Sequence, residues 1–212
     1  LSNKIAASFG VEMFETLTGF KFIGEKIQQF QDTGSHTFLF GFEESYGFLS
    51  STFVRDKDGV NASLLIAEAA AWARTQGKTL YDILQEIFAT YGYYVEGVVS
   101  ITLPGKDGVA KMQSIMKNLR TDAPKTLAGK KVLAVRDYLV GTRTDCQGNV
   151  TPADLPKSDV LYFELENDAW VCIRPSGTEP KIKLYVNTNA ASHEASKAEN
   201  DALVAACKEL MA

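Results

Sequence analysis

The periodicity of the chain changes at Gly92, and that break constrains the fold more than any other feature. Before it, apolar residues recur at helical spacing between short apolar runs; after it, β-branched stretches dominate. Leu1, Ile5 and Phe9 repeat on one helical face, with Gly10 where a C-terminal cap belongs. Val11 to Phe14 is a short strand candidate, and Ile23, Ile27 and Phe30 mark a second helix that stops before Gly34. Phe38-Leu39-Phe40 is an unbroken apolar run, as expected of a strand buried on both faces of a parallel sheet. Leu65, Ala69 and Trp72 belong to a third helix, closed by Gly77. Thr79 followed by Asp82 forms a variant capping box that opens a fourth, whose Leu80, Ile83, Leu84, Ile87, Phe88 and Tyr91 keep the i, i+3, i+4 rule.

Past Gly92 the pattern is different. Val95 to Leu103 reads as a strand, and Val109, Met112, Ile115, Met116 and Leu119 as a helical stripe. Lys131–Val135, Val160–Leu165, Ala169–Ile173 and Ile182–Val186 read as further strands, with Asn167-Asp168 as the tight turn of a hairpin. A last helix carries Ala195, Ala198, Ala202, Ala206 and Leu210 on one face. The fold class is therefore α/β. Residues 1–92 form part of a layered domain with a mostly parallel sheet and right-handed crossovers, and residues 93–212 an α+β domain with a largely antiparallel sheet.

Composition narrows the function. A net charge of -4 and a pI near 5.3 lack the clustered Lys and Arg of a nucleic-acid or anionic-membrane surface. No apolar run reaches the roughly 20 residues that span a bilayer, since even Leu64 to Ala73 is interrupted by Glu68. No secretory leader is read at the start, and a first residue of Leu suits a segment of a longer polypeptide. Cys146, Cys172 and Cys207 are odd in number and far apart, which argues against zinc and disulfide frameworks and for a reducing cytoplasm. With only His36 and His193, a histidine-rich metal centre is not expected.

Three segments carry candidate chemistry. Arg174-Pro175-Ser176-Gly177-Thr178-Glu179-Pro180-Lys181 joins two strands and suits a phosphate: Arg174 offers a planar fork of donors, Ser176 and Thr178 offer hydroxyls, and Gly177 lets backbone N–H groups approach. The plain alternative is a Pro/Gly-rich hairpin whose arginine pairs with a carboxylate, and short motifs match often by chance. No Walker A loop is present. Gly41-Phe42-Glu43-Glu44-Ser45-Tyr46-Gly47 follows the apolar run, where open α/β sheets bind ligands, and its carboxylates and hydroxyl suit sugar hydroxyls; a solvated acidic loop is the alternative. Arg55-Asp56-Lys57-Asp58-Gly59 fails as a calcium loop, because Val60 and Asn61 stand where a ligand and a glycine are needed. It reads as a charged turn before a helix at Asn61, or as a basic group available for proton transfer.

In this order the segments resemble the α-D-phosphohexomutases, and the phosphoglucomutase branch most closely. Arg174–Lys181 is similar to the phosphate-binding loop of that family's fourth domain and Gly41–Gly47 to the sugar-specificity loop of its third. Thr18-Gly19-Phe20-Lys21 resembles a further substrate-side segment of the third domain, and Arg55–Gly59 a charged segment bordering the active site. The resemblance implies that Thr18, Gly19, Glu43 and Ser45 meet the sugar, that Arg174, Ser176, Gly177 and Thr178 hold the non-transferring phosphate, and that Lys57 takes part in acid/base work. Ser45 is followed by Tyr46-Gly47 rather than the Gly-His of some relatives, which disfavours the bacterial phosphomannomutase/phosphoglucomutase and phosphoglucosamine types.

The family reaction passes a phosphoryl group from a phosphoserine to a hexose phosphate, through glucose 1,6-bisphosphate, with Mg2+ neutralising charge. Neither a Ser-His-Asn-Pro-like loop nor an Asp-x-Asp-x-Asp loop occurs here. The resemblance thus implies a C-terminal portion that binds hexose phosphate, has no metal ligands of its own, packs against N-terminal domains of the same parent and is inactive alone. A phosphomannomutase and a non-catalytic sugar-phosphate-binding module are the alternatives.

Overall fold

The computed structural model describes residues 1–211, which divide into two compact units, Ser2–Thr90 and the part from Tyr91 onward. The first unit holds α1 (Ser2–Ser8), α2 (Phe20–Thr33), the hairpin β1 (Gly41–Glu43) and β2 (Gly47–Leu49), α3 (Gly59–Thr75) and α4 (Leu80–Tyr91). Local chemistry sets the helix ends. Gly34 caps α2 in the left-handed conformation, φ 63°, and donates its N–H to the Phe30 carbonyl at 2.8 Å. The Asp58 carboxylate accepts from the amides of Val60 and Asn61, both at 3.0 Å, and so starts α3 two residues before the expected Asn61. The capping box of α4 is reciprocal: the Thr79 amide donates to Asp82 at 2.8 Å, and the Asp82 amide donates to the Thr79 hydroxyl at 3.2 Å.

Three expectations for this unit need correction. Val11–Phe14 is not a strand; Phe14 instead packs its ring on Phe30 and His36, with centroids 5.0 and 4.9 Å away. The Phe38–Phe40 run lies just before a strand, and Leu39 and Phe40 are 56% and 49% exposed. In place of a mostly parallel sheet, the described residues of this unit carry one antiparallel hairpin, Gly41 opposite Leu49 and Glu43 opposite Gly47. A doubly buried strand needs neighbours on both sides, and β2 is the sole other strand described here. The unit's core is correspondingly small: Phe20, Ile27 and Leu49, flanked by Ile23 and Phe38.

The second unit contains β3 (Tyr93–Thr102), α5 (Gly108–Thr121), β4 (Thr126–Leu127), β5 (Lys130–Asp137), β6 (Thr142–Asp145), β7 (Val150–Pro152), β8 (Leu161–Leu165), β9 (Trp170–Pro175), β10 (Lys181–Ala190) and α6 (His193–Leu210). Its sheet runs β3-β10-β9-β8-β5-β6-β7, with β4 on β5, and every pairing is antiparallel. Asn167 and Asp168 turn the β8–β9 hairpin with successive φ of 61° and 57°, a conformation their short polar side chains tolerate. One sheet face is buried: Leu161, Phe163, Val171, Ile173, Ile182 and Leu184 pack with Met112, Ile115, Met116 and Leu119 of α5 and with Leu203 and Cys207 of α6. The hairpin of β6 and β7 has no apolar alternation and was not expected.

α6 turns a different face inward from the one its alanines suggest. The buried residues are Ser196, Asn200, Leu203 and Cys207, whereas Ala195, Ala198 and Ala202 are exposed and Leu210 is 44% exposed. Hydrogen bonds make the polar burial tolerable. The Thr188 hydroxyl donates to the Ser196 carbonyl at 2.8 Å, and Asn200 Nδ2 donates to the Val95 carbonyl at 3.0 Å. Gly97 completes the fit, since a Cβ there would lie 2.6 Å from Asn200 Oδ1.

The other sheet face is polar and aromatic. Glu164 accepts from Arg136 Nε at 2.6 Å and from Arg143 Nε and Nη2 at 2.9 and 2.6 Å. Arg136 lies over the Tyr162 ring, which stacks on Trp170 at 5.3 Å. The three guanidinium bonds hold the Glu164 carboxyl below the usual glutamate range, the Arg143 bond contributing most.

Candidate functional site

In the first unit the hairpin turn presents Glu44, Ser45 and Tyr46 to solvent, while Glu43 folds back over the last rung of the ladder. Glu43 Oε1 comes to 3.9 Å from Lys57 Nζ, and its side chain is 12% exposed. Lys57 has two further neighbours. Asp56 Oδ1 accepts from the Lys57 amide at 2.8 Å and lies 3.1 Å from Nζ. The Phe20 ring stands under the ammonium, 5.6 Å from its centroid. The segment is held beside the hairpin by the Asp58 amide, which donates to the Phe48 carbonyl at 2.8 Å.

Of the expected site residues in this unit, the sugar candidate Glu43 and the acid/base candidate Lys57 are brought together, and Gly19 precedes their neighbour Phe20 at the start of α2. Gly19 has φ 124°, which requires glycine there. Thr18 and Ser45 are both exposed. Arg55 is turned away from this group: its guanidinium donates to the Thr52 carbonyl and to Gln28 and Gln31 of α2, which makes it a clasp between segments. A carboxylate that accepts, beside an ammonium that donates, matches a hydroxyl, which does both.

In the second unit, Arg174 is the next-to-last residue of β9, and Ser176 to Pro180 form the loop to β10. The loop is closed at its base by the Ser176 amide donating to the Lys181 carbonyl at 2.7 Å. The amides of Thr178 and Glu179 converge on one oxygen, Ser176 Oγ, at 3.4 and 3.3 Å. These are long bonds to a neutral acceptor, and an anionic oxygen would draw both amides more strongly. Gly177 and Thr178 are exposed, with nothing within 4 Å of a Cβ built on Gly177.

One member of this group was missed by the sequence reading. Lys183 of β10 is the direct ladder partner of Arg174, so the two side chains share a sheet face. Neither has a carboxylate partner among the described residues. The alternation Lys181-Ile182-Lys183-Leu184 carried the signal, because Ile182 and Leu184 are fully buried and the lysines must face the other way. Among the described residues no group of three or more His, Cys, Asp or Glu is placed to hold a metal ion. Magnesium thus finds no such set of ligands among the described residues.

Residues 1–91 match the family model described as phosphoglucomutase/phosphomannomutase, alpha/beta/alpha domain III, and residues 99–206 match the model of its C-terminal domain. The chain belongs to this phosphoglucomutase/phosphomannomutase family. Among its curated relatives, the phosphoglucomutase of Staphylococcus aureus (strain MRSA252) is 44% identical over 188 residues, which is 88% of this chain and 34% of that protein. The phosphoglucomutase of Staphylococcus epidermidis (strain ATCC 35984) is 40% identical over 190 residues, with the same coverage. The chain therefore spans about a third of the length of the curated relatives it matches. A solved structure, the open form of the exocytosis-sensitive phosphoprotein pp63/parafusin from Paramecium, superposes with a TM-score of 0.65 over 99% of this chain and 35% of that one. At 22% identity it shows the shared fold. No helix among the described residues is long and apolar enough to cross a membrane.

Proposed function

We propose that this chain supplies the sugar-binding and phosphate-binding parts of a phosphoglucomutase that interconverts glucose 1-phosphate and glucose 6-phosphate. Residues 1–92 act as the sugar-binding domain and 93–212 as the phosphate-binding domain. The observation that carries the reading is the pairing of Arg174 with Lys183, two cations without carboxylate partners among the described residues, beside a loop whose amides converge on one oxygen. Glu43, Ser45, Thr18 and Gly19 serve the sugar hydroxyls, and Lys57 moves the proton at the hydroxyl that gains or loses the phosphoryl group. Arg174, Ser176, Gly177 and Thr178, with Lys183, hold the phosphate that is not transferred. The phosphoserine and Mg2+ belong to other parts of the full-length enzyme, with glucose 1,6-bisphosphate as the intermediate. The curated relatives compared above are phosphoglucomutases, which favours glucose over mannose. None of the three cysteines is in a disulfide, which suits a reducing cytoplasm.

The test is titration of the 15N-labelled chain with glucose 1,6-bisphosphate. Amide shifts at Ser176 to Glu179 and at Glu43 to Tyr46 are expected, and an unperturbed phosphate loop would refute the proposal.

A further inference from the structure

Gly47 is the Cα partner of Glu43 on the last rung of the hairpin. Glycine in a tight turn usually supplies a positive φ, but here that conformation belongs to Tyr46, at φ 64°, and Gly47 is not among the positive-φ glycines. Turn geometry therefore does not explain the glycine. Its surroundings do. A Cβ at position 47 would lie 2.7 Å from Glu43 Oε1, 2.9 Å from Glu43 Cγ and 3.0 Å from Lys57 Cδ. The missing methyl is the space through which both side chains pass on their way to the 3.9 Å approach of carboxylate and ammonium.

That approach is too long for a direct hydrogen bond and leaves room for a shared partner. A sugar hydroxyl can donate to Glu43 and accept from Lys57 at once. The Phe20 ring backs the ammonium, and Asp56 holds the lysine backbone, so the alkyl chain of Lys57 has few other routes to Glu43.

We propose that Gly47 is a positioning residue: by lacking a side chain it lets Glu43 and Lys57 converge on a single sugar hydroxyl. This rests on the roles given to Glu43 and Lys57 above. Gly47→Ala is a clean probe, because alanine suits a residue outside the positive-φ region and the atoms it would strike lie on the movable side chains of Glu43 and Lys57. In this chain, without sugar, Gly47→Ala should move the Lys57 13Cε and Glu43 13Cδ resonances and leave the α2 and α4 amides in place. In the full-length enzyme it should lower kcat/KM by roughly tenfold or more, as misplacement of a reacting group does. In a Lys57→Ala background the same substitution should then add less than about threefold, since coupled residues do not add. Unmoved side-chain resonances, or full additivity with Lys57→Ala, would overturn the proposal. If Lys57→Ala itself left turnover unchanged, the role of Lys57 would fall, and with it the shared hydroxyl.

Discussion

Lys183 stands directly opposite Arg174 across the β9–β10 ladder, and neither cation meets a carboxylate among the described residues. Like charges in facing positions destabilise a sheet by about 0.2–1 kcal/mol, so the pair carries a cost in the absence of an anion. A phosphate between them reverses the sign. Replacing Lys183 with Thr should therefore raise the Tm of the chain in phosphate-free buffer. It should also shrink the gain in Tm that added inorganic phosphate gives the wild type. A variant that melts lower in both buffers would show that Lys183 is structural and not part of an anion site.

Arg174→Ala in the full-length enzyme should lower kcat/KM by about 2–4 kcal/mol, the scale for losing a charge-assisted partner of a desolvated phosphate. Much of the loss should fall on kcat, because holding the remote phosphate orients the reacting one. Steady-state kinetics with glucose 1-phosphate measure both parameters. A change under about threefold would place the role of the loop in folding alone.

How much of this was legible in the sequence depended on whether the signal was local. The Thr79–Asp82 box, the left-handed glycine at 34 and the Asn167-Asp168 turn are fixed by neighbours within a few residues, and all three formed. The Arg174–Lys181 turn between two strands was legible for the same reason, but Lys183 lies two residues past the motif and faces Arg174 only through the β9–β10 register. The inward face of α6 was misread because Ser196 and Asn200 find their hydrogen-bond partners, Thr188 and Val95, on β10 and β3, which the helical pattern of α6 does not encode. The Phe38–Phe40 run has strand composition yet finds no strand to pair with among the described residues, and burial of a strand is a property of its partners.

Glu164 gives the second unit a pH dependence. Its carboxyl is held below the ordinary glutamate range by Arg143, with Arg136 adding to the effect. A depressed acid contributes stability that is present above its unfolded value, near 4.3, and lost as the pH falls through its lower folded value. Glu164→Gln should cost about 1–2 kcal/mol at pH 7, less than a fully buried pair because the carboxylate is 20% exposed. The gap between the two proteins should narrow as the pH drops below about 4. Thermal melts across pH 3–7 test the sign (a gap that widened in acid would contradict it).

The thiols should separate by burial. Cys146 is exposed, whereas Cys207 is fully buried on α6 and desolvation pushes its thiol up to about 12. A thiol-directed reagent at pH 8 should modify Cys146 quickly and Cys207 only on unfolding, since the thiolate is the reactive form. Mass mapping after timed labelling reads the order, and early modification of Cys207 would mean that α6 opens readily in the native protein.

Residues 93–212, expressed alone, should fold. Their core is closed within the segment: Phe163, Val171, Ile173, Ile182 and Leu184 from the sheet meet α5 through Met116 and Leu119, and α6 through Leu203 and Cys207. The buried polar atoms of α6 also find their partners inside it, at Val95 and Thr188. Residues 1–92 should fare worse, because their buried cluster is Phe20, Ile27 and Leu49 while Phe9, Leu39, Phe40, Phe53 and Trp72 stay largely exposed. A cluster that small offsets little of the roughly 1–2 kcal/mol of backbone entropy lost per ordered residue. Amide dispersion and a cooperative melt are expected for 93–212, and a broad or absent melt for 1–92. A molten 93–212 would show that its sheet depends on residues before Tyr93 for a stable core.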